Sequence, residues 1–116
     1  MNMTESGNEN FFIELLHSIW NSIKCFFVRC LNFAKNIVSF FKNPGRLRKL
    51  KENKEKIAIV IKENLENGNY HTVNCLFNTA TNEVEDMEVD AQGIESEDLD
   101  YETRQAFGDK QMLKLA

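Results

Sequence analysis

The chain is poor in the residues that punctuate structure and in those that carry recognisable chemistry. Proline occurs once, at Pro44, and glycine only five times in 116 residues. That scarcity excludes a proline-rich, collagen-like or glycine-rich linker chain and leaves room for long uninterrupted elements. Three cysteines, Cys25, Cys30 and Cys75, are an odd set without framework spacing. This excludes a disulfide scaffold and fits reduced thiols in a cytosolic compartment. There is no CxxC pair, and the two histidines, His17 and His71, lie far apart. A zinc-ribbon or zinc-finger pattern is therefore absent. No glycine-rich phosphate loop and no supported Ser-His-Asp or Cys-His set is present, which argues against an enzyme and leaves no cofactor to name. The first ten residues carry Glu5 and Glu9 and no Lys or Arg, unlike a secretory signal. No internal repeat is found.

What the chain does have is concentrated in residues 11–41. Seven of the nine phenylalanines and the sole tryptophan, Trp20, fall there, and 20 of these 31 residues are apolar. Ile13, Leu16, Trp20, Ile23, Phe27, Cys30, Ala34, Ile37 and Phe41 step by threes and fours. Phe12, Ile19, Phe26, Phe33 and Phe40 recur at every seventh position. This spacing predicts one amphipathic helix over 11–42. Its membrane-facing or oligomer-forming side is predicted to comprise Phe12, Leu16, Trp20, Ile23, Phe27, Ile37 and Phe41. Lys24, Arg29 and Lys35 place at least one cation in any window of about 20 residues, the length a bilayer span needs. A central Lys or Arg costs roughly 2.5–3.5 kcal/mol in a lone span. An interfacial helix, or an oligomer with its polar faces turned inward, avoids that cost.

Charge is strongly segregated. Residues 1–41 balance. Residues 42–56 hold seven basic and two acidic groups, net +5, and residues 57–116 hold four basic and thirteen acidic groups, net −9. Lys42, Arg46, Arg48 and Lys49 follow the apolar run directly, and a polybasic segment there suits anionic lipid headgroups on the cytoplasmic side. The same segment lacks an aromatic platform and adjoins an acidic region, which argues against nucleic acid.

After Asn43-Pro44-Gly45 the pattern predicts a second, basic helix over Arg46–Asn67, a strand over Asn69–Asn78, and a returning strand over Glu83–Asp90. A loop from Gly93 to Asp98, a short helix from the Asp100 cap to Phe107, and a third strand over Lys110–Leu115 complete it. The expected class is α+β, with a long N-terminal helix, a basic helix, a small hairpin, a short helix and a C-terminal strand. The expected domain organisation is a disordered leader over 1–10, a membrane-associating or oligomerising helix over 11–43, and a small cytosolic domain over 44–116.

Candidate chemistry is sparse. His71 and Cys75 share a strand face, but two groups do not make a metal site, and without a third orienting group they do not make a nucleophile–base pair. Asp86, Glu88 and Asp90 could face a cation, but an oxygen cage needs a loop to wrap the ion, and a solvated strand face that also protects an edge explains them better. The acidic run from Glu95 to Glu102 suits a helix N-terminus or docking of the basic segment. Tyr70, Thr72, Asn74 and Asn78 form an uncharged polar face that could present hydrogen-bonding groups to a small ligand or protein partner. Together these features suggest a non-enzymatic, membrane-associated homo-oligomer. Its acidic cytosolic head would sense a ligand or partner and control the helix, as in a membrane-perturbing effector. Two alternatives remain: a soluble homo-oligomeric scaffold whose helices form a bundle, and a compact monomer whose phenylalanine helix covers the hairpin.

Overall fold

The computed structural model describes the backbone of residues 5–115 and the side chains of residues 10–115. The first four residues of the expected leader lie outside that range, and Glu5–Asn10 begin a helix rather than completing a leader. The elements are α1 (Glu5–Ile19), a 3-10 turn (Trp20–Ser22), β1 (Lys24–Leu31), a π-helical turn (Phe33–Val38) running into α2 (Ser39–Phe41), and α3 (Pro44–Glu52). They continue with β2 (Lys56–Asn64), β3 (Tyr70–Asn78), β4 (Glu83–Val84), β5 (Ala91–Leu99), α4 (Tyr101–Phe107) and β6 (Met112–Leu115). The strands form one mixed sheet in the order β1-β5-β3-β2-β6, with β4 beside the end of β3. Only β1 and β5 pair in parallel; the other pairs are antiparallel. The fold is α+β, with an N-terminal helix.

Both faces of the sheet are covered. On one face α1 lays Leu16 and Ile19 over Ile59, Ile61, Val73, Cys75, Phe77 and Ala91. On the other, Ile37, Phe40, Phe41 and Phe107 from the helical segments close over Ala58, Val60, Leu76 and Ile94. Polar side chains set the helix starts. Asn32 accepts from the Lys35 amide at 2.8 Å while its own amide donates to Asn36 Oδ1 at 2.8 Å. Asn43 caps α3 by accepting from Gly45 and Arg46, with Pro44 in the first turn. Asp100 caps α4 as predicted, and Gly108, at φ +57°, ends it.

Several expected boundaries are corrected. The single helix over 11–42 is instead α1, a turn, β1 and a second helical segment. Ile23 is already extended, at φ −119° and ψ 164°. Cys25-Phe-Phe-Val28, aromatic and β-branched, favours a strand once a sheet edge is available. Heptad spacing alone did not distinguish these outcomes. The second helix stops at Glu52 rather than running to Asn67. Ile57-Ala-Ile-Val-Ile61 is a β-branched run buried on both faces of a central strand, as continuous apolar strands are. The returning strand shrinks to Glu83–Val84, because Asp86 takes φ +43° and turns the chain. The expected loop at Gly93–Asp98 lies within β5.

Candidate functional site

An edge strand offers unpaired amides and carbonyls to any chain that can align with it, and β1 is such an edge. Its inner side is in register with β5, from Lys24 opposite Gln92 to Leu31 opposite Leu99. Among the described residues no strand lies on its outer side. The opposite edge, β6, has four residues, whereas β1 has eight. Short length and charge are the usual protections of an edge. β1 has only Lys24 and Arg29, and Arg29 Nε lies 3.9 Å from Glu97 Oε1. Phe26 and Phe27 point to opposite faces of the strand and are 41% and 55% exposed.

The α1-side face of this edge has a defined structure. Trp20 stacks on the His71 ring at 3.8 Å and 11°. It reaches this position because Gly93 has no side chain: a Cβ there would lie 2.7 Å from Cys25 Sγ and 2.8 Å from Trp20 Cζ3. Glu63, His71 and Glu95 form one cross-strand row over β2, β3 and β5. His17 from α1 meets Glu63 at 2.7 Å, and His71 meets Glu95 at 3.3 Å. The Asn69 side chain, followed by His71, holds the Glu95 carboxyl below its ordinary value. Burial pushes the Cys25 thiol up, and pushes Cys75 up to about 12, so neither is poised as a thiolate. Among the described residues, no group of three or more His, Cys, Asp or Glu side chains is arranged to hold a metal ion.

The seven residues expected on one membrane or oligomer face do not share one. Leu16 is buried beneath α1, with Phe12, Trp20 and Ile23 half-buried in the same cluster. Ile37 and Phe41 are buried on the opposite side of the sheet, leaving Phe27 as the exposed member. Of the headgroup candidates, Lys42 and Arg48 are exposed. Arg46 is spent internally: it donates to the Phe40 and Val89 carbonyls, covers the Phe40 ring and faces Asp90 Oδ1 at 3.2 Å. Lys49 binds both Asp86 and Asp90, which raise its pKa.

The expected ligand face is corrected. Thr72, Asn74 and Asn78 are buried, and Tyr70 packs half-buried against the same core. The reason is topological, because β3 is a central strand with helices over both faces. Asn74 Nδ2 donates to the Asn36 carbonyl and Gln92 Oε1, and Asn78 Nδ2 donates to Glu85 at 2.8 Å. Sequence reasoning missed Phe26 as a surface residue and Gly93 as the gap beneath Trp20. The run of four strand-favouring residues at 25–28 was the available signal for the former. Among the described residues, no helix is long and apolar enough to cross a membrane. No family model matches this chain, and no curated protein or solved structure shows significant similarity to it.

Proposed function

We propose that this chain is a non-enzymatic interaction module that self-associates by pairing β1 with β1 of a second copy, extending the sheet across the interface. The observation that carries this is an eight-residue edge strand with Phe26 and Phe27 exposed on its two faces and two charges, Lys24 and Arg29, on either side of that pair. An antiparallel pair centred on Phe27 sets Phe27 against its symmetry mate and Phe26 against Val28. The same register places Lys24 and Arg29 toward the two ends, away from their own copies. Cross-strand aromatic and aromatic–β-branched pairs each add roughly 0.2–1 kcal/mol over the ladder itself.

Analytical ultracentrifugation of the full chain tests this. The wild type is expected to dimerise in the micromolar range, and Phe27→Lys or Phe26→Lys to shift it to monomer while leaving the circular dichroism intact. With Cys25 and Cys30 replaced by serine, Phe27→Cys is expected to give a disulfide-linked dimer on oxidation. A wild type that stays monomeric at high concentration refutes the reading.

A second reading, docking on an anionic membrane surface, is favoured by the cations around the same pair: Lys24 and Arg29 lie on the strand, and Lys35 shares a shallow hollow with Phe26. Vesicle co-sedimentation lost on Phe27→Lys, from a chain monomeric in solution, would select it.

A further inference from the structure

We infer that the cleft between α3 and the β2–β6 edge is a binding site for a single-chain anionic amphiphile, a long-chain carboxylate being the simplest. The cleft holds about 390 Å³, within the roughly 300–1,000 Å³ of small-molecule sites. Its floor and walls are the side chains of Leu47, Leu50, Ala58 and Leu115. Leu47, on the basic helix α3, is 42% exposed on the open side of the cleft. Among the described residues the charged lining is cationic: Lys51, Lys56 and Lys114 rim the cleft and no Asp or Glu side chain lines it. Lys56 lies 3.7 Å from Glu85, while neither Lys51 nor Lys114 is in an ion pair among the described residues.

Charge complementarity selects an anionic head, and the floor selects its tail. β2 is paired with β3 along its length and with β6 over Ala58–Ile61. The floor offers apolar side chains to a ligand tail. An acyl chain requires only apolar contact with that floor, whereas a peptide would also have to find partners for its own amides. The lysines reach the head from the rim and keep their own charges in water. The site lies on the opposite sheet edge from β1, so it stands or falls independently of self-association.

The test is calorimetric titration of the full chain with dodecanoate below its micelle concentration. Saturable one-to-one binding is expected, at least tenfold weaker for the exposed double variant Lys51→Glu/Lys114→Glu and weaker in high salt. Dodecanol is expected to bind less tightly than dodecanoate, and dodecyltrimethylammonium and acetate not measurably. Amide shifts on titration should centre on Leu47 and Leu115. Equal binding of the cationic amphiphile, equal binding by the charge-reversed variant, binding of acetate as tight as dodecanoate, or association with anionic vesicles without binding of monomeric dodecanoate would each overturn the assignment.

Discussion

Gly93→Ala is a single methyl group placed where the structure has no room for one. The added Cβ would stand 2.7 Å from Cys25 Sγ and 2.8 Å from Trp20 Cζ3. Relaxed carbon contacts sit at about 3.5–4.0 Å, so each neighbour must retreat by about 0.7 Å or more. Neither retreat is free. Trp20 is stacked on His71 at 3.8 Å, so lifting the indole breaks that stack. Cys25 is the register partner of Gly93 itself, so its sulfur moves only by a rotamer change or by displacing the edge strand. Overpacking costs about 1–3 kcal/mol, and the reduced freedom of alanine in the unfolded chain returns about 0.4–1 kcal/mol. A net loss of about 1–2 kcal/mol is expected. With a urea m-value of about 2 kcal/mol/M, the midpoint should fall by about 0.5–1 M at unchanged slope.

Urea unfolding read by circular dichroism measures this loss. Trp20, the sole tryptophan, reports displacement of the indole as a fluorescence change in the native state. Adding Cys25→Ala removes one of the two close contacts, so the double variant should recover part of the loss and the pair should be non-additive. A Gly93→Ala protein as stable as wild type, with unchanged tryptophan fluorescence, would refute the account of this contact.

Three further outcomes are expected. Lys62 is 7% exposed, donates to Asn64 at 3.1 Å and lies over the Tyr70 and Phe107 rings; burial, then the Arg104 charge, lowers its pKa. The folded state therefore gives up this proton more readily than the unfolded chain. The cost of the buried charge is fully present at neutral pH and is relieved as pH rises through the depressed folded value toward about 10.4. Lys62→Met should stabilise by about 1 kcal/mol at pH 7 and less at pH 9.5, measured by urea unfolding at both. Asp90→Ala should cost about 3 kcal/mol, largely insensitive to added salt, because it strands a mostly buried Arg46. The Glu95 carboxyl is held low in the folded state, so its contribution is present above the unfolded value of about 4.3 and lost as pH falls through the lowered folded value. Glu95→Gln should flatten the loss of thermal midpoint between pH 5 and pH 2.5.

Legibility in the sequence followed how local each signal was. Asp100 and Gly108 bracket α4 and Tyr70–Asn78 is a strand, as their own residues predict, whereas Asn43 and Pro44, expected as a break between helices, start α3 itself. These signals are chemical and act within one turn or one strand. The apolar run at 11–41 was ambiguous because residues three, four and seven apart are compatible with a helix, while its content at 25–28 equally suits a strand. That choice was made by β5, which supplies seven paired positions to β1 from the far end of the chain. Nothing near residue 25 encodes that partner. The polar face of β3 was legible as a face, since Tyr70, Thr72, Asn74 and Asn78 do share one side. Which way it pointed was not, because burial of a central strand depends on helices contributed by residues 33–41 and 101–107.

The same non-local dependence explains why β1 is the element on which association would act. Hairpin strands are closed by a few residues; β1 reaches β5 only after a loop spanning most of the chain has closed, and it pairs in the slightly weaker parallel mode. Among the described residues its pairing is with β5 alone, and Leu31 and Val28 carry it into the core with Ile37 and Phe107. Its C-terminal end is anchored by the buried Leu31, whose carbonyl accepts from the Asp100 amide at 2.9 Å; its N-terminal half depends on one ladder and on the Trp20–Cys25–Gly93 contact, which makes that half the part expected to open first. A second copy added to its outer edge would give β1 two ladders instead of one. Dimerisation and the native state would then be linked by mass action, with stability rising with protein concentration. The excess of phenylalanine in this segment then has two separate explanations. Phe40 and Phe41 cover the sheet as core, and Phe26 and Phe27 stay outside the core, on the edge that remains open.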